Sequence, residues 1–421
     1  MNSAFHAGNR KRLYAAMKPH SLALFFSGEE IRKTNDEYYP FFADRDFVYL
    51  TGIAQKECVL MAIKEDEKVT ERLYILPPDA MAERWTGRRL KPQEAEALSG
   101  VSDVRFVEAF AGDVHAVAAG GHYSIQTGVV QNLYLDLFRV SPNDIDRPAH
   151  WWLRIAQQEY PYLGVENANA ILRKLRLIKQ PCEIEAMRRA EIITGEGILA
   201  MMKASKPGMY EYQYKAAFDY ALSQHSPDGP GFPPIISAGQ NNFCIHYYAY
   251  TGQAHDGDMI LNDVGAQWDG HITDVSRGWP CNGRFSEKQR LLYECALATS
   301  NHMFSIIRPG MKMADVDATI RSYNADRLRD AGVLQDVREI GMYMWHGGAH
   351  HVGYDVHDVV ERPELIAPGM VFCVDVGIYH EEWGIGFRLE DNCLVTEDGC
   401  ENLSAAIPRT VEDIEAVMRK S

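Results

Sequence analysis

Apolar residues follow two rhythms along this chain. Short runs bounded by polar turns predict strands at Leu22–Phe26, Phe47–Leu50, Cys58–Ile63 and Leu73–Leu76. Further on, helical spacing takes over. Met187, Ala190, Thr194, Ile198 and Met201 fall on one face, which predicts a helix over 183–204 that Pro207-Gly208 stops. Ser286-Glu287-Lys288-Gln289 fits a capping box and opens a second helix, closed by Pro309-Gly310. A third spans 314–330, with Gly332 as its terminal glycine. The pattern predicts an α/β domain over residues 1–172, a connector at 173–182 and a second domain over 183–421.

The second part contains an internal echo. The run Gly257–Gly265 ends in Asp263-Val264-Gly265, and Pro368–Gly377 ends in Asp375-Val376-Gly377. Both are short hydrophobic strands followed by a turn and a returning strand that carries another acid. Two similar halves related by a pseudo-two-fold, with a site between them, are expected.

The first hairpin permits a geometric argument. Asp269-Gly270 is a strong turn signal. A two-residue loop there pairs Asp263 with Ser276 and Asp274 with Gly265, so Asp263 and Asp274 share a face on adjacent strands. Side-by-side acids repel unless a cation sits between them. Taken alone, they also fit solvent-facing acids near a turn. In the second hairpin, Asp375 ends the buried-looking run Val371–Val374, and Glu390 lies on the return after Arg388. A salt bridge from Arg388 to one of these acids would balance charge with or without a metal.

Between the hairpins lies His346-Gly347-Gly348-Ala349-His350, and four histidines (His346, His350, His351, His357) fall within twelve residues. The paired glycines argue for a loop or strand rather than a zinc-protease helix. Four acids and an imidazole are enough to hold two divalent ions, which would cancel the mutual repulsion and activate water at neutral pH. A mostly oxygen ligand set with one nitrogen favours Mn²⁺, with Co²⁺, Fe²⁺ and Zn²⁺ as alternatives. If Cys244 and His246, and Cys373 and Asp375, lie on strands, each pair shares a face. Both thiols read as small buried hydrophobes rather than nucleophiles.

Composition narrows the class. The 421 residues carry a formal charge of −15 with no long basic run, which argues against nucleic-acid or anionic-membrane partners. No apolar run reaches membrane-spanning length, and Met1–His20 has no apolar block of the signal-peptide kind. Eight scattered cysteines without a Cys-x-x-Cys pair point to free thiols and a cytoplasmic location.

These residues resemble the pita-bread metallopeptidases of the Xaa-Pro aminopeptidase and prolidase group. Tyr39-Pro40-Phe41, Asp46–Gly52 and Trp85–Leu90 look like the amino-terminal domain of aminopeptidase P. Asp274–Pro280, Tyr354–Asp358 and Gly384–Asp391 look like its catalytic domain. The resemblance covers nearly the whole chain. It implies a creatinase-like α/β domain, then a pita-bread domain with a pseudo-two-fold antiparallel sheet and flanking helices. It implies Asp263, Asp274, His350 and Glu390 as four of five metal ligands. The fifth family ligand is glutamate, usually followed by Pro-Gly; here Asp375-Val376-Gly377 stands there. Aspartate is one methylene shorter, which sets the carboxylate back by about 1.5 Å. The loop Val359–Ala367 also departs from the family's glycine-rich sequence.

The resemblance further implies that His246 and His357 line the substrate cleft and move protons, with Asp375 as base. It places His346, Tyr379 and Arg388 around the bound peptide. The expected reaction is hydrolysis between any first residue and a proline at position two. The family usually forms dimers or tetramers. The nearest alternative is a dipeptidase restricted to Xaa-Pro. A metal-free hydrolase like creatinase is disfavoured, because four of the metal acids and histidines are intact. A catalytically impaired protein that kept the fold is supported only by Asp375.

Overall fold

The computed structural model describes residues 1–119, 130–226 and 228–419. The chain forms two compact units, Met1–Leu175 and Arg176–Ser421.

In the first unit, six strands make one mixed sheet: β1 (Ser21–Phe26), β2 (Val59–Lys64), β3 (Val69–Ile75), β4 (Val104–Phe106), β5 (Asn132–Leu135) and β6 (Gly164–Asn167), in the order β4-β3-β2-β1-β5-β6. The central strands β1–β3 are antiparallel neighbours, while β4, β5 and β6 join in parallel. Leu22, Leu24, Met61, Ile63 and Tyr74 are fully buried in its core.

The expected strand at Phe47–Leu50 is instead part of a helix, Arg45–Thr51. Its apolar run is too short for periodicity to tell a buried strand from a buried helix. The ends decide. The Asp44 carboxylate accepts from the Phe47 amide at 3.0 Å, and Gly52 closes the helix at φ 70°. The expected connector at 173–182 also differs. A helix, Asn169–Leu177, runs through its first half, and the next helix begins at Pro181.

The second unit holds two three-stranded antiparallel sheets. In one, β8 (Met259–Val264) lies between β7 (Ile235–Ala238) and β11 (Val275–Pro280). A short ribbon of β9 (Gln267–Trp268) and β10 (His271–Ile272) extends the β8–β11 hairpin. In the other, β12 (Val371–His380) pairs with β13 (Ile385–Val395), which pairs with β14 (Cys400–Asn402). The free edge of β12 is covered by the segment 348–351. Asp375 N donates to Gly348 O and Cys373 N to His350 O, both at 2.9 Å. Each Asp-Val-Gly strand therefore has a returning strand on one side and a further segment on the other, as the echo predicts.

All of β12 and β13 is buried, so burial alone does not distinguish their two faces. The alternation reappears in the packing. Phe372, Val374, Val376 and Ile378 enter the main core with Phe387 and Leu389. Cys373, Asp375, Gly377 and Tyr379 take the opposite face of β12. The three predicted helices form at Pro181–Ala204, Glu287–Ile306 and Met313–Asp330. Ser286 caps the second as expected, accepting from Gln289 N at 3.3 Å.

Candidate metal centre and active site

The first hairpin turns where the sequence places it. Asp269 (φ 50°) and Gly270 (φ 81°) both take the left-handed conformation of a two-residue hairpin loop. Asp263 pairs with Ser276, and the register continues through His271 opposite Trp268. In the second hairpin Asp375 and Glu390 are directly opposite. The glycine of each Asp-Val-Gly is a close-approach position. A Cβ on Gly265 would lie 1.7 Å from the Thr273 carbonyl oxygen, and one on Gly377 would lie 2.3 Å from His346 Nε2. Gly348 lets the His350 segment reach β12, since a Cβ there would meet Ile320 at 2.8 Å and Asp375 O at 3.1 Å.

The two hairpins bring the acids together. Carboxylate oxygens of Asp263, Asp274 and Glu390 lie within 4.8 Å of one another, and so do donor atoms of His350, Cys373 and Glu390. His350 Nε2 stands 3.4 Å from Asp274 Oδ2 and 3.6 Å from Glu390 Oε1. Asp375 turns aside, with Oδ2 at 3.0 Å from His346 Nδ1. It belongs to neither group of three.

Each of the four acids keeps one buried oxygen without a hydrogen-bond partner: Asp263 Oδ1, Asp274 Oδ1, Asp375 Oδ1 and Glu390 Oε1. A buried orphan carboxylate oxygen costs several kcal/mol. Those of Asp263, Asp274 and Glu390, gathered beside an imidazole, fit divalent cations.

The electrostatics agree. Burial, then the charges of Glu390 and Asp263, push the Asp274 carboxyl well above the carboxylate range. Burial and the Asp375 charge raise Glu390 to about 7. Burial would raise Asp375 as well, but the adjacent His346 holds it below its ordinary value. Burial pulls His346 down, and the Asp375 carboxylate outweighs it and raises it. His350 is likewise opposed by burial and raised by Glu390.

The other expected residues surround this centre. Arg388 NH2 donates to Asp263 Oδ2 at 2.8 Å, so the anticipated salt bridge goes to the first hairpin. Its NH1 donates to Tyr379 OH at 3.0 Å, and Tyr379 OH meets His346 Nε2 at 3.0 Å. His357 is exposed and its ring lies 4.3 Å from that of His350. Burial of its ring, then the charges of His350 and His246, lower its pKa. His246 is exposed beside Tyr248. Cys244 and His246 sit on a turn after a 3-10 helix, so they share no strand face, and Cys244 is exposed rather than buried.

Several supporting residues were missed. Ser276 donates to Glu390 Oε2 at 2.8 Å, and Asn392 clasps the Asp274 backbone. Arg277 donates to Asp391 at 2.7 Å with both side chains fully buried. Arg176 and Lys179, from the expected connector, both pair with Asp358 next to His357, and all three side chains are buried. Charged residues in a connector carry no signal of burial, and these partners are about 180 residues away along the chain.

Hairpins that gather acids and an imidazole on one buried face define a metal-dependent hydrolase. Residues 185–397 match the profile of metallopeptidase family M24, and residues 6–125 match that of the aminopeptidase P N-terminal domain. The Xaa-Pro aminopeptidase of Haemophilus influenzae is 30% identical over 97% of this chain and 96% of its own length. That of Escherichia coli K12 is similar to the same degree, with the same coverage. Zinc-substituted E. coli aminopeptidase P in complex with product superimposes with a TM-score of 0.90 at 28% identity, over 100% of this chain and 99% of that one. The E. coli enzyme with the inhibitor Pro-Leu gives 0.89 at 29% identity, over 100% of both chains. The chain belongs to metallopeptidase family M24.

Two predictions follow from the charges. A metal held by Glu390 would have to displace its proton, because the carboxyl is raised to about 7. Affinity is therefore full above pH 7 and weakens as pH falls below it. Titration calorimetry at pH 8 and pH 6 should show weaker binding and greater proton release at the lower pH. Equal affinities would contradict the assignment.

Asp358 is different. Burial would raise it, but Arg176 and Lys179 hold it far below its ordinary value. Its stabilisation is present above about pH 4 and lost as pH falls towards the depressed value. Asp358→Asn should cost about 3–5 kcal/mol at pH 7. The difference from wild type in urea unfolding should shrink at pH 3, and an unchanged midpoint at pH 7 would refute it.

Proposed function

We propose that this chain is a metal-dependent Xaa-Pro aminopeptidase, which hydrolyses the bond between an amino-terminal residue and a proline at position two. The carrying observation is the cluster of buried Asp274 and Glu390 with half-buried Asp263 and His350, whose carboxylates keep unpartnered oxygens. Relatives named Xaa-Pro aminopeptidase align with it over nearly its full length. They favour this reading over a dipeptidase.

We assign Asp263, Asp274, His350, Asp375 and Glu390 to holding two divalent ions, with Mn²⁺ favoured by the oxygen-rich donors. When bound, such ions activate water at neutral pH and polarise the scissile carbonyl. The chain's own groups do the rest. Asp375 is the base that takes the proton from the attacking water, and the His346 Nδ1–H, 3.0 Å away, holds its carboxylate in place. His357 is neutral at pH 7, so one ring nitrogen offers an N–H to the carbonyl oxygen as charge develops there. The proton that Asp375 takes passes to the departing proline nitrogen, whose departure His246 or His357 assists by hydrogen bonding. Arg388 ties Asp263 to Tyr379 and fixes the wall of the cleft. The substrate bond is a tertiary amide without an N–H, so binding cannot depend on that donor.

The eight unpaired cysteines support a cytoplasmic setting. A homodimer or homotetramer is supported by the exposed aromatic residues Tyr39, Phe42 and Trp85 of the first unit.

After loading with Mn²⁺, the protein should cleave a Xaa-Pro-Xaa tripeptide faster than the matching Xaa-Pro dipeptide. Asp274→Ala and Glu390→Ala should each reduce turnover to background and lower the bound metal. Cleavage of the dipeptide alone would make the enzyme a dipeptidase, and full turnover in either variant would refute the assignment.

A further inference from the structure

The two groups of donors are chemically unequal. Asp263, Asp274 and Glu390 offer only oxygen, while His350, Cys373 and Glu390 offer nitrogen, sulfur and oxygen. Glu390 is common to both, which suits a residue shared between two ions. The unusual member is Cys373. It lies on β12 two residues before Asp375, on the strand face that carries the acids.

We propose that Cys373 is a metal ligand in this chain, and that its sulfur, with His350 and Glu390, forms a thiol-bearing half of the centre. The inference rests on the two-ion reading above and deepens it: one half takes a hard ion such as Mn²⁺, and the other is suited to a thiophilic ion such as Zn²⁺, Fe²⁺ or Co²⁺.

Four observations carry it. First, Cys373 Sγ is held at the site and aimed by backbone. The His350 amide donates to it at 3.3 Å, while Cys373 N donates back to His350 O at 2.9 Å. The thiol and the imidazole are thus locked side by side. Second, Glu390 Oε1 lies in the same group, 2% exposed at its side chain and without a hydrogen-bond partner.

Third, Asp375 is drawn to His346 and does not join either group of three. With its Oδ2 engaged by His346, only Oδ1 is left to reach an ion. Sulfur reaches further than oxygen: a Zn–S bond is about 2.3 Å against about 2.0 Å for Zn–O. Fourth, the two cysteines differ in what else they face. Cys393 on β13 is equally buried and packs in the main apolar core, whereas Cys373 packs against Met187, Val352, Val371 and Leu394 and also has His350 and Glu390 beside its sulfur. On binding, the sulfur–metal bond forms as the S–H bond breaks, and the proton leaves to water.

The test uses the full chain, stripped with a chelator and reloaded with Co²⁺ while bound metal is counted. Two cobalt ions per chain and an intense near-ultraviolet sulfur-to-cobalt charge-transfer band are expected. Cys373→Ser should lose the band and weaken the less tightly held ion by about tenfold or more, a loss at least as large as removing a supporting partner causes. Cys393→Ser should keep the band. X-ray absorption of the zinc-loaded wild type needs no variant and should show sulfur at about 2.3 Å from one of the two zinc ions.

Two cobalt ions without the band, a zinc shell of nitrogen and oxygen only, or a band that survives Cys373→Ser would each overturn the proposal and leave the two-ion centre standing. Failure of the wild type to bind two ions would overturn both.

Discussion

Mutual repulsion among buried carboxylates governs this structure. Two charges about 4 Å apart repel by about 4 kcal/mol at the effective dielectric of a protein. Asp274, Asp375 and Glu390 are buried and Asp263 is half-buried, and the oxygens of Asp263, Asp274 and Glu390 lie within 4.8 Å of one another. Protein cations offset only part of this. Arg388 serves Asp263, and His346 serves Asp375. Asp274 and Glu390 are left with raised pKa values, which is how the protein alone relieves the strain. Divalent ions relieve it with the acids ionised, the state needed for hydrolysis.

The scaffold works to keep those acids from moving apart. Paired β-strands fix Asp375 opposite Glu390 and Asp263 opposite Ser276. Glycines admit neighbouring segments at contact distance, and the fully buried Arg277–Asp391 pair binds the two hairpins together from behind. The apolar faces of β12 and β13 anchor this framework in the main core. The same strands thus carry hydrophobic packing on one side and chemistry on the other.

Much of this was legible in the sequence, because it depended on local signals. Asp269-Gly270 set the first register, and the repeated Asp-Val-Gly marked both acid strands. Helix caps at Ser286 and the glycine beyond the third helix were equally local. What escaped depended on distant partners or on ambiguous short runs. Phe47–Leu50 reads as a strand until Asp44 and Gly52 are recognised as caps. Arg176 and Lys179 look like solvated connector residues until the fold buries them against Asp358. The pairing of Asp375 with His346 depends on a loop nearly thirty residues away along the chain, which the local sequence does not reveal.

The central claim is that this acid cluster is built for divalent cations. The most direct measurement is the unfolding temperature of chelator-stripped protein with and without added Mn²⁺, with magnesium as a weaker hard-ion control. Each ion that binds only the folded state adds about 2.7 kcal/mol at a hundredfold excess over its dissociation constant. The account predicts a rise that saturates with added Mn²⁺ and is lost in Glu390→Ala. An unfolding temperature that Mn²⁺ leaves unchanged would contradict it.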